Sequence, residues 1–152
     1  MRVIAAAVLA VLVASFASPQ TVKDALELNR EAVESQRRVL VAGSLHLTDA
    51  EAQAFWPLYD GWEKDRREVD ERTNQLVADF VAAGSGMSDT QATAMLSEAL
   101  RLDDERLRVR RTWLSRMSKA IPPRKLVLYF QLVNKLDAIV RADVARQIPL
   151  NR

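Results

Sequence analysis

The residues able to do chemistry are few and poorly grouped. The 152-residue chain holds one histidine, His46, and no cysteine. One imidazole does not build a metal site alone; it would need carboxylates such as Asp49 or Glu51 close by, or a second subunit. An exposed loop histidine is the expectation. Without cysteine, disulfides, thiolate metal sites and cysteine nucleophiles are excluded together. Carboxylates abound, but they lie among cations. Glu63-Lys64-Asp65-Arg66-Arg67-Glu68 is one such run, and Asp103-Asp104-Glu105 is flanked by Arg101, Arg106 and Arg108. Runs of this kind form solvated helix faces with i,i+4 pairs. No Ser-His-Asp, glycosidase or metalloprotease spacing occurs. The expectation is a non-enzymatic protein with no catalytic residue, no cofactor and no metal.

The stretch Leu45–Trp62 is the densest in other signals. Phe55, Trp56, Tyr59 and Trp62 form an aromatic cluster around Pro57. Phe55, Tyr59 and Trp62 share one helix face, and Trp56 turns away from it. Read blandly, these rings are core. Read functionally, some of them, Trp56 above all, stay partly exposed and contact an apolar partner. The partner-binding candidates are Phe55, Trp56, Tyr59, Trp62 and, on a later helix, Trp113.

Long helices must position these residues. The hydrophobic fraction is 49%, the charged fraction 28%, and only four Gly and five Pro interrupt the chain, which fits amphipathic helices with few, short loops. A net charge of +2 is too mild for a nucleic-acid footprint. Met1-Arg2, an apolar run to Ala14 and Ser15-Phe16-Ala17 read as an export signal cleaved after Ala17. The run is too short for a comfortable membrane span. The expectation is therefore residues 1–17 as signal peptide and 18–152 as one all-helical domain, exported and not stably inserted in the membrane.

Four helices are expected, over about 21–42, 48–82, 88–120 and 123–146. The first carries a thin stripe of Leu26, Leu28, Val33, Val39 and Leu40, and Gly43 should stop it. The second opens on a capping box, Thr48 with Glu51, and carries Phe55, Trp62, Val69 and Leu76 seven apart. Pro57 should kink it. Ala83-Gly84-Ser85-Gly86 reads as a hairpin turn. The third helix opens on Ser88 and Gln91 and carries Leu100, Leu107, Leu114 and Ile121 seven apart. Pro122-Pro123 separates it from the fourth, whose stripe of Leu126, Tyr129, Phe130, Val133, Leu136, Val140 and Val144 is widened by Leu128, Leu132 and Ile139. A stripe so wide suits a central helix or a dimer interface.

Helices two and three form an antiparallel hairpin in this reading, with the first and fourth flanking it. Polar residues interrupt both seams: Asp65 and Arg72 on one, Asp103 and Arg110 on the other. A single register would pair Asp65 with Arg110 and Arg72 with Asp103, and set Trp62 beside Trp113. Such pairs would fix register more than they add stability.

With an export signal, no Cys, four helices and Leu47-Thr48-Asp49-Ala50-Glu51 opening a long one, the chain resembles the LTxxQ-motif periplasmic family. That family includes the Spy and CpxP stress chaperones and relatives tied to heavy-metal resistance. Glu51 stands where its first motif has Gln. Where its second motif would precede the last helix, this chain has Ile121-Pro122-Pro123-Arg124-Lys125; Met87-Ser88-Asp89-Thr90-Gln91 fits the letters better but opens the third helix. The resemblance implies an antiparallel, cradle-shaped homodimer in the periplasm, acting without ATP on unfolded proteins or on an envelope sensor kinase. A metal-responsive or regulatory protein and a scaffold with one fixed protein partner are the alternatives.

Overall fold

The computed structural model describes residues 35–148. The signal segment 1–17, the expected start of the first helix and the Pro149-Leu150 half of the Gln147-Ile148-Pro149-Leu150 tail lie outside them. The described residues form four helices: α1, described over residues 35–45, then α2 (Asp49–Ala83), α3 (Asp89–Met117) and α4 (Pro123–Gln147). A 3-10 turn at Gly84–Gly86 joins α2 to α3, and these two long helices are the closest-packed pair. The all-helical hairpin expected from the periodicity is present.

The helix ends follow from local chemistry. Thr48 Oγ1 accepts from the Glu51 N–H at 3.3 Å, and Glu51 Oε2 accepts from the Thr48 N–H at 2.8 Å. Ser88 and Gln91 repeat the arrangement at α3, with 3.3 and 3.0 Å. Each box satisfies two backbone donors that a helix start leaves orphaned. Pro123 occupies the first position of α4, where a missing N–H costs nothing. Pro57 sits inside α2 without breaking it. Gly43 does not stop α1, contrary to expectation: the helix runs on to Leu45, and His46 takes the left-handed conformation (φ 43°) that ends it. At the hairpin turn the left-handed residue is Gly84 (φ 53°), where a side chain would be strained.

The core lies at one end of the hairpin. Val41 and Leu45 of α1, Phe55, Tyr59 and Trp62 of α2, Trp113 and Met117 of α3, Ile121, and Tyr129 and Val133 of α4 form one buried cluster. From there α4 runs back beside the hairpin, and its end reaches the level of Asp70 and Asp103. Beyond that level the described residues show only α2 and α3, with Ala78 and Leu102 buried along the pair.

Two apolar stripes are not where the pattern put them. On α1 the buried positions are Arg37, Val41 and Leu45, while Val39 and Leu40 are exposed. On α3 the buried positions are Leu102, Trp113 and Met117, whereas Leu100 and Leu107 of the expected seam face outward. The α2 seam holds: Phe55, Trp62 and Val69 are buried. On α4, Tyr129 and Val133 are buried, but Phe130, Leu128 and Ile139 are exposed.

Candidate functional site

The aromatic cluster is chiefly architectural. Tyr129 of α4 meets Phe55, Tyr59 and Trp62 of α2 edge-on, with ring centroids 5.5, 6.4 and 5.8 Å apart. This is the arrangement that ring quadrupoles favour. Phe55, Tyr59, Trp62 and Trp113 are all buried, so within the protomer these four offer a partner no open face. Trp56 is half-buried, and the Arg38 guanidinium lies 4.4 Å from its ring centre while also pairing with Asp60. Its outer face is already covered by a cation.

The seam polar residues take partners other than those their register suggested. Asp65 accepts from the indole Nε1 of Trp113 at 2.8 Å, not from Arg110. Arg72 pairs with Glu105 at 2.9 Å, not with Asp103, which pairs with Arg106 of its own helix at 2.8 Å. Arg110 reaches α4 and meets Asp137 at 3.2 Å. The hairpin is offset by only a few residues from the expected alignment. That offset is enough to exchange every partner.

Above the aromatic core lies a charged layer that the sequence did not announce. Arg37, only 2% exposed, donates to Asp137 Oδ1 at 3.0 Å, and the other oxygen of Asp137 takes Arg110. Glu63 accepts from Tyr59 Oη at 2.9 Å and from Arg66 at 2.7 Å. Arg66 also binds Asp70, and Arg106 lies 3.6 Å from the same carboxylate. Burial pushes the Asp70 carboxyl up, against the pull of Arg66 and Arg106. Burial likewise pushes the Tyr59 and Tyr129 phenols up, so both stay neutral.

This layer floors a cleft of about 340 Å³ between α4 and the hairpin. Its polar side carries Arg37, Arg66, Arg106 and Arg110. Its apolar side is formed by Trp62, Val69, Val109, Val140, Val144 and Ile148. The lone histidine is elsewhere: His46 is exposed, and its carbonyl accepts from Lys125 at 2.7 Å. Among the described residues no group of three potential ligands is placed to hold a metal ion.

The third feature is the outward face of α3. Leu96, Leu100 and Leu107 are 63, 59 and 43% exposed, and their spacing puts them on one side of the helix. Exposed Asp103, Asp104, Arg108 and Arg111 surround them. Val127, Leu128 and Ile139 give α4 outward apolar residues of its own.

No protein-family model matches the chain, and no curated protein or solved structure matches it either. The class that the described residues define is an all-α helical hairpin whose buried core cluster lies at one end, and any functional reading rests on the residues themselves.

Proposed function

We propose that the chain is an exported, non-enzymatic binding protein that holds apolar stretches of unfolded polypeptides on the outward face of α3. The observation that carries this reading is the exposed row Leu96, Leu100 and Leu107. A buried leucine contributes about 1.5–3 kcal/mol, so three give at most about 9 kcal/mol. Association itself costs about 4–15 kcal/mol, which leaves weak, reversible capture and favours transient clients over one fixed partner. The charges interleaved with the leucines point the same way, since the centres of tight interfaces are depleted in charge. Both signs are present, so capture is not restricted to clients of one charge. The periplasm as its location and an ATP-independent, stress-chaperone role of the LTxxQ type belong to this proposal.

The test is suppression of client aggregation by purified protein, alongside its mass in solution. Protection should fall when Leu96, Leu100 and Leu107 are replaced together by Ser, with thermal stability nearly unchanged, because exposed substitutions of this kind stay within about 0.5 kcal/mol. No protection by the parent chain at several-fold molar excess defeats the reading. So does a dimer that the triple replacement splits while protection persists, because the row would then be a self-association surface.

A further inference from the structure

Charge is unevenly distributed along the chain. From Arg106 to Leu136 there are nine lysines and arginines and no acid, although the whole chain is nearly balanced, with 22 cations and 20 acids. Four of the nine are satisfied within the fold: Arg106 pairs with Asp103, Arg108 with Glu105, Arg110 with Asp137 and Lys125 with Glu51. Arg111, Lys119, Arg124 and Lys135 are exposed and have no ion pair among the described residues.

Two of these unpaired cations belong to one face of α4. Tyr129 and Val133 turn inward. The far side of the helix carries Arg124, Leu128, Gln131, Lys135 and Ile139, at steps of three and four residues. All five are exposed, Leu128 by 41% and Ile139 by 55%, with Val127 beside them at 56%. No acid interrupts this stripe, which at 1.5 Å per residue is about 22 Å long. The outward side of α3 is different. There Glu98, Arg101, Glu105 and Arg108 pair along the helix, the mixed-sign pattern of a face turned to water.

We propose that the outward face of α4 docks on the surface of an anionic lipid bilayer. Val127, Leu128 and Ile139 enter the boundary between headgroups and acyl chains. Arg124 and Lys135 keep their charges at the lipid phosphates while their stems lie along the apolar surface. A negative leaflet attracts unpaired cations, and each one near the surface strengthens partitioning about fivefold. The apolar residues favour a bilayer over an acidic polypeptide, whose solvated charges give Leu128 and Ile139 nothing to enter. No described helix is long and apolar enough to cross a membrane; the contact lies in the plane of the interface. The proposal does not rest on the α3 leucine row.

Co-sedimentation with vesicles tests it, comparing equal parts phosphatidylglycerol and phosphatidylcholine with phosphatidylcholine alone. The chain is taken from Ser18, because the apolar run 3–14 would adhere to vesicles by itself and none of the described fold lies in it. Anionic vesicles should bind the protein at least tenfold more strongly than neutral ones, and less strongly as salt is raised. Arg124→Gln with Lys135→Gln should weaken binding about twenty-five-fold, at fivefold per charge. Lys64→Gln, which removes a charge from exposed α2 surface, should change it less than twofold. Replacing Val127, Leu128 and Ile139 together by Ser should weaken it at least tenfold, the scale of burying one such side chain. All these positions are exposed, so helicity and cooperative melting should be kept and are checked for each variant. Equal binding to both vesicles, indifference to the α4 charges, an equal loss from Lys64→Gln, or full binding without the three apolar residues each overturns the proposal. Tighter binding of polyglutamate than of anionic vesicles assigns the face to an acidic protein and also overturns it.

Discussion

The six-membered end of the Trp113 indole fills the space that a side chain at Gly61 would need. A methyl group added at Gly61 would stand 2.9 Å from Cζ3 and 3.0 Å from Cζ2 of that ring, and closer still to Cη2. The ring is fixed from both sides, because its Nε1 donates to Asp65 one turn further along the same helix and the Arg116 guanidinium lies 4.4 Å from its centre. Gly61→Ala would favour the helix by propensity, by up to about 1 kcal/mol. Displacing a held indole costs about 1–3 kcal/mol, so the net outcome is destabilisation, read as a lower midpoint in urea. A midpoint above that of the parent would show that the indole moves freely.

Tyr129 gives a prediction of opposite sign. Its ring is buried among three other rings, but its hydroxyl has no hydrogen-bond partner. Leaving a buried hydroxyl unpaired costs about 1–3 kcal/mol. Tyr129→Phe keeps the ring and removes that cost, so chemical denaturation should show a stability equal to or above the parent's. A loss beyond about 1 kcal/mol would reveal a partner for the hydroxyl.

Asp137 should be among the least replaceable acids. Asp137→Ala strands the Arg37 cation in the core, and breaking a buried pair from one side costs about 3–5 kcal/mol. Replacing both partners, with Arg37→Met and Asp137→Leu, should recover most of the loss. A double-mutant cycle on unfolding free energies reads this directly; additive losses would mean that the two residues do not act as a pair.

The Glu51 carboxylate caps α2 and also receives Lys125 Nζ at 2.6 Å. The Lys125 and Thr48 hydrogen bonds hold its pKa below the ordinary 4.5. A depressed carboxylate stabilises the fold above its unfolded pKa, and the contribution disappears as pH falls through the folded value. Glu51→Gln retains a cap, as Gln91 does at α3, but lacks the charge. Its melting temperature should lie below the parent's at neutral pH, and the gap should close as pH falls below 4.5. A gap independent of pH would remove the charge from the explanation.

What was legible in the sequence was what a single helix declares about itself. The two capping boxes are four-residue signals, and Phe55, Trp62 and Val69 repeat at the period of a buried seam, so α2 could be read almost to its ends. The α3 leucines repeat just as cleanly, yet Leu100 faces out and Leu102, about 200° around the helix, faces in. Spacing finds a face; it does not say whether a neighbour covers it. Trp113 and Met117 needed the larger space beside Gly61 and the α4 rings, and that requirement, not the leucine count, set the rotation of α3. The charged layer was hidden for a different reason. Arg37 and Asp137 are a hundred residues apart, and nothing local distinguishes either from the surface charges around it. A polar residue at the spacing of Val41 and Leu45 was the one available sign that Arg37 turns inward.

The one-ended core has a further consequence, for the order in which the molecule comes apart. The free energy of local opening tracks how much apolar contact must be broken. Among the described residues that contact involves all four helices near Tyr59 and Trp113, whereas around Ala78 and Leu102 it involves two. Amide hydrogens should therefore exchange along a gradient, fastest beside Gly84 and slowest around Trp62. The leucine row straddles it, with Leu96 on the fraying tip and Leu107 near the firm root, so a client gripping along the row would itself act as a splint for the loose end.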